Sequence, residues 1–245
     1  MQEAINLSNK TNKITYLNTN QTINLPLPQI LNTDDYRIDP KHECMATLPD
    51  AYLATLKNTT IFGGTNLIII DDNLAVYDEI ALNEKRNETY GIRSWNIISI
   101  SASNILTIQT PRRLPQSIST GMHLVNDHSA NYYHWLVECL PRLSLVKDLD
   151  ANIPLLVDQD LPKQYFEALE LLNISKRPII FLTKNTPYKV ETLYYPSLLS
   201  NIYDNYGPPN YEIDAVFSKG AISFIKNSVL DACQINPDLG YRKLY

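Results

Sequence analysis

GMHLVNDHSANYYHWLVECLPRLSLV, residues 121–146, decides how this chain is read. Residues 121–125 form a short apolar stretch, read as a strand. From Tyr132 to Val146 the apolar positions fall at helical spacing. Trp135, Cys139, Leu143 and Val146 make one stripe, widened by Leu136 and Leu140. Beside it His134, Glu138 and Arg142 stand at i, i+4 and i+8 and form a polar stripe. Pro141 lies inside this helix, removes one backbone hydrogen bond and should kink it.

Downstream, short apolar strands alternate with helix-period stretches. Strands are expected at 153–157, 178–182 and 190–195. One helix is expected at 162–172, with Phe166, Leu169 and Leu172 on one face, and a last one from about 211 to 233. That alternation with short loops argues βαβ units and a mostly parallel sheet over residues 116–245. Upstream, residues 44–115 read as β-rich, with short apolar stretches at 60–62, 66–70, 75–77, 95–101 and 105–108. Asp71-Asp72-Asn73 supplies hairpin chemistry, and PRRLP at 111–115 reads as a linker. Residues 1–43 are polar and broken by Pro26, Pro28 and Pro40, which predicts a loosely ordered lead-in with one strand at 14–17.

The 245 residues are 44% hydrophobic and 19% charged, enough apolar material for one large domain or two small ones. A net charge of −5 supplies no basic field, which argues against nucleic acid as a partner. Seven glycines leave no room for a Gly-rich phosphate loop. Cys44, Cys139 and Cys233 are too few and too far apart for a disulfide framework or a paired-cysteine zinc site. The opening MQEAINLSNKTNK lacks the apolar core of a secretion signal, and no apolar run reaches membrane-spanning length. The expected setting is cytoplasmic.

Each notable residue has a bland reading. His134, Glu138 and Arg142 fit an exposed ion-pair ladder, each pair worth about 0.2–0.5 kcal/mol. His128 lies in a polar loop where Ser129 or Asn131 fits as a helix N-cap. Zinc on His123, His128, His134 and Glu138 matches no standard ligand spacing. Asp158-Gln159-Asp160 reads as a helix start, with Asp160 as N-cap and Pro162 in the first turn. Cys139 reads as a buried small hydrophobe. The tyrosines near 194–195 and 203–206 serve equally well as core or as sugar-stacking residues.

The run Asn131-Tyr132-Tyr133-His134-Trp135-Leu136, then Glu138, then Leu140-Pro141-Arg142-Leu143, resembles the signature of glycosyltransferase family 61, which includes bacterial capsular-polysaccharide biosynthesis proteins. The likeness covers roughly residues 115–245. It implies a GT-B-like enzyme with two Rossmann-type halves, of which this chain holds the acceptor-side half and ends before the donor-binding half. It implies transfer of a sugar from a nucleotide-sugar donor to a glycan acceptor with inversion, in capsular or cell-surface polysaccharide synthesis. No cofactor or metal is expected. The setting implied is cytoplasmic, peripheral to the inner face of the membrane, and an uncovered inter-domain face would favour self-association.

Inverting transfer needs a general base for the acceptor hydroxyl and positive charge for the leaving diphosphate. Glu138 and His134 are the expected catalytic pair, with the identity of the base left open between them. Arg142, His128, Asn131 and His123 are the expected substrate-binding residues. The alternative is a non-catalytic remnant or partner module that folds and transfers nothing.

Overall fold

The computed structural model describes residues 12–19, 21–25, 44–77, 94–100, 105–202 and 215–235. The strands, in chain order, are β1 (Lys13–Asn18), β2 (Thr22–Leu25), β3 (Cys44–Thr47), β4 (Ala51–Phe62), β5 (Ile68–Ile70), β6 (Leu74–Val76), β7 (Ile97–Ile100), β8 (Leu106–Ile108), β9 (Gln116–His123), β10 (Leu155–Asp158), β11 (Ile179–Leu182), β12 (Pro187–Pro196), β13 (Ser200–Ile202) and β14 (Ala215–Phe217). Helix α1 (Tyr132–His134) runs directly into a π-helical turn (Trp135–Cys139) and then a 3-10 turn (Leu140–Leu145). Helix α2 is Lys163–Leu172 and α3 is Lys219–Ala232.

Eight of these strands make one mixed sheet, in the order β11-β10-β9-β12-β4-β5-β6, with β1 also paired to β4. The first four are mutually parallel. The rest are antiparallel, with β12 meeting β4 from Pro187 against Phe62 to Pro196 against Leu53. Strands from the β-rich stretch and from the α/β stretch therefore share one sheet. Residues 13–18 of the polar lead-in belong to it too, because Ile14 packs onto its core.

Two apolar layers follow from the strand pattern. Leu155 and Val157 of β10 face the helices, where they meet Trp135, Cys139, Leu140, Leu143, Leu169 and Leu172. Leu156, between them, faces the other way onto Ile61, Ile68, Val125, Leu182 and Val190. Within β4 the residues of this second layer change parity, from Ala54 and Leu56 to Ile61, and in β12 from Tyr188 and Val190 to Leu193 and Tyr195. The change falls at Asn58, whose φ is 51°. A left-handed residue inside a strand bends it. The sheet curls accordingly: Gly63, just past β4, bridges to Lys184 beyond β11, and its N–H donates to the Thr186 carbonyl just before β12. Residues 183–186 can then link two parallel strands without a helix.

The Asp71–Asp72 hairpin is present. Both residues have positive φ, 49° and 61°, as a type I′ turn requires, and the Asn73 N–H returns to the Ile70 carbonyl at 3.2 Å. Two expectations need correction. Helix α2 has Pro162 at its N-cap position rather than Asp160. The last helix begins at Lys219, because Ser218 caps it through the Ala221 N–H and residues 215–217 are strand β14. The expected start at 211 lies outside the described residues.

Candidate functional site

Strand β9 ends at His123, where Gly121 leaves room for the Leu156 side chain; a Cβ there would lie 2.6 Å from it. The chain then turns through a polar loop. Ser129 Oγ accepts from the Asn126 N–H and donates to the Asn126 carbonyl, both at 2.8 Å. The His128 N–H donates to Asn126 Oδ1 at 2.8 Å. Asn131 caps α1, its Oδ1 accepting from the Tyr133 N–H at 2.9 Å, as an N-cap asparagine should.

Pro141 has a larger effect than a kink. Lacking an N–H, it cannot bond back to residue 137. The chain widens before it, where the Leu140 N–H reaches the Trp135 carbonyl as a π turn requires, and tightens into 3-10 geometry after it. A 3-10 turn advances about 120° per residue against about 100° in an α-helix. The i, i+4, i+8 stripe is therefore broken after Glu138. His134 Nδ1 and Glu138 Oε2 lie 2.8 Å apart, and Asn126 Nδ2 donates to the same oxygen at 3.3 Å. Arg142 turns inward instead. It is 1% exposed, its Nε donates to the Pro196 carbonyl at 2.8 Å, and its guanidinium lies 4.9 Å from the Tyr195 ring centre. Among the described residues it forms no ion pair, which excludes the exposed ladder.

The expected residues fall into two tiers. His134 and Glu138 form the upper one, with side chains 19% and 9% exposed. The His128 ring is 4.7 Å from that of His134, and Asn131 begins the helix beneath them. Arg142 and His123 form the lower, buried tier around Tyr195. Burial, reinforced by the Arg142 charge, holds the His123 pKa well below the usual imidazole range and keeps the ring neutral. His123, like Arg142, is fully buried. His123 ends β9, and Tyr195 and Pro196, which Arg142 meets, end β12.

Asn126 carries no helical or strand periodicity, and its contact with Glu138 was not legible in the sequence. Nor was the polar cluster next to it. Burial raises the Asp127 carboxyl pKa, against the opposing pull of Thr65, Tyr77 and Ser94 and the Asn66 backbone. Asp158, at the end of β10, accepts from the Gly64 N–H at 2.7 Å. Burial pushes it up to about 7, and the Asp127 charge adds to the rise. No group of three or more His, Cys, Asp or Glu side chains placed to hold a metal occurs among the described residues. No described helix is long and apolar enough to cross a membrane.

Cys139 sits under the π turn, fully buried, and burial pushes its thiol up to about 12. A thiol held so high is a poor nucleophile. Iodoacetamide at pH 8 should label the exposed Cys233 in the folded protein and reach Cys139 only after unfolding. Peptide mass spectrometry checks this, and labelling of folded Cys139 at the rate of Cys233 would contradict it.

No family model, curated protein or solved structure matches the chain.

Proposed function

We propose that this chain is the acceptor-side half of an inverting glycosyltransferase of bacterial capsular or cell-surface polysaccharide synthesis, with His134 as general base. The observation that carries the reading is the 2.8 Å contact between His134 Nδ1 and Glu138 Oε2. A carboxylate on Nδ1 fixes the tautomer that carries its proton there and turns Nε2 into the proton acceptor. It also stabilises the imidazolium formed when the acceptor hydroxyl gives up its proton. Glu138 is then the positioning residue, itself held by Asn126. His134 is the more exposed of the two, as the group that meets a substrate should be.

The parallel order β11-β10-β9-β12 supports the reading in strand order alone; the same sheet continues antiparallel into β4, β5 and β6, and residues 183–186 join β11 to β12 without a helix. The sequence motif supports it from the other side. Nucleotide sugar and glycan acceptor are both substrates in this reading, and the transfer proposed is metal-independent. The donor diphosphate belongs against a second α/β half. The setting proposed is cytoplasmic, against the inner face of the membrane.

The test, run on the chain joined to a donor-binding half, is a screen of UDP-, GDP- and CMP-sugars against glycan acceptors, with products read by mass spectrometry and anomeric configuration by NMR. Transfer with inversion that disappears in His134→Ala supports the reading. Transfer that survives in His134→Ala removes this residue from the chemistry. A folded chain that binds glycans yet transfers nothing, even joined to a donor-binding half, favours the non-catalytic alternative.

A further inference from the structure

Three aromatic residues open the helix, and only one belongs to the core. Trp135 is 1% exposed and stacks on Tyr165 at 5.8 Å. Tyr132 and Tyr133 remain 61% and 43% exposed. Each leaves apolar ring surface in water that burial would otherwise favour. Neither is loose. Tyr132 packs against Tyr165 with ring centres 5.9 Å apart. Tyr133 is clamped edge-on between His134 at 5.6 Å and Phe217 of β14 at 6.0 Å. Its backbone N–H is fixed by the Asn131 cap. Two exposed, braced rings therefore stand directly before the His134–Glu138 pair.

Building on the transferase reading, we infer that Tyr133, the exposed ring packed against His134, forms a stacking platform for a pyranose ring of a neutral glycan acceptor and presents its hydroxyl to His134. The face of a tyrosine ring carries the negative part of its quadrupole, and the axial C–H bonds of a pyranose carry partial positive charge. The two match over an area of one sugar ring, while the sugar's equatorial hydroxyls stay available at the rim. A neutral ring is specified because the Glu138 carboxylate stands beside the platform, where it repels an acidic sugar. Braced rings lose little further freedom on binding, which favours a weak ligand such as a single sugar unit.

The experiment titrates the full chain with xylo-, cello- and chito-oligosaccharides of four to six units and follows the tyrosine ring resonances by NMR. Saturable binding by at least one series is expected. Tyr133→Ala should weaken it about tenfold or more, about 1.4 kcal/mol, while Tyr133→Phe stays within about threefold. Failure of every oligosaccharide to bind, binding indifferent to Tyr133→Ala, or displacement of the sugar by a proline-rich peptide would overturn the platform. Sugar binding with this mutational pattern but no transfer sinks the transferase reading and leaves the platform standing. Transfer with an acceptor KM unchanged in Tyr133→Ala does the reverse.

Discussion

In the chain joined to a donor-binding half, replacing His134 by Ala should lower sugar transfer by about 10²–10⁴-fold, the usual loss when a general base is removed. Glu138→Gln should lose about 10²-fold or more. Gln keeps the shape of Glu138 and can still accept from Asn126, so the contact at 3.3 Å survives in kind. What it loses is the negative charge facing His134 Nδ1 at 2.8 Å, and with it the stabilisation of the imidazolium. The two losses should not multiply in the double variant, because both residues act through one proton transfer. Added imidazole should restore part of the His134→Ala activity and none of the Glu138→Gln activity. That separates a missing base from a misdirected one. Rescue of neither variant, with near-normal turnover in His134→Ala, would make Glu138 the base or take both out of the reaction. Urea unfolding of Glu138→Gln should stay close to that of the parent protein, which keeps a folding defect apart from a chemical one.

The sequence revealed the elements that rest on local periodicity and concealed those that rest on distant contacts. The stripe Trp135, Cys139, Leu143 announced a helix packed against a sheet, and the structure buries all three. The α/β alternation after residue 116 was likewise visible, since β10, α2, β11 and β12 each carry their own apolar pattern. Strand β4 was seen only at its end. Its inward residues change parity at Asn58, so a search for strict alternation sees two short fragments rather than twelve continuous residues. Arg142 misled for a related reason. Spacing on an ideal helix assigns it to the polar face, and a π turn followed by a 3-10 turn moves it into the core. Asn126 and Gly64 gain their roles from partners 12 and 94 residues away in sequence, which no local pattern encodes. The pair His134–Glu138 was legible because it is local: one helical turn, two complementary groups.

Asp158→Asn should stabilise the protein at pH 8 by about 2–4 kcal/mol. In the folded chain the Asp158 carboxyl is pushed up to about 7, from 3.8 for an unperturbed group, by burial and by the neighbouring Asp127. Between roughly pH 4 and pH 7 the folded state therefore holds a proton that the unfolded state has released. Stability must fall as pH rises through that window, by up to about 1.4 kcal/mol per pH unit. A shift of this size corresponds to about 4 kcal/mol in full, and partial exposure of the carboxyl reduces it through solvent screening. Asn carries no charge to desolvate, and its amide oxygen can accept the Gly64 N–H in place of the present 2.7 Å bond. At pH 4 the carboxyl is protonated in the folded state, and the two proteins should differ little. Urea unfolding at pH 4, 6 and 8 measures both the difference and its slope, and an Asn variant that is less stable at pH 8 would contradict the argument. The raised Asp127 carboxyl acts in the same direction and remains in the variant, so some pH dependence should persist. Asp127 lies between Asn126, which holds Glu138, and His128, which packs on His134. If Asp158→Asn gains stability and loses transfer, the unfavourable acid pair is what holds this loop in register with the His134–Glu138 pair, the trade between stability and activity expected where a site depends on a costly arrangement.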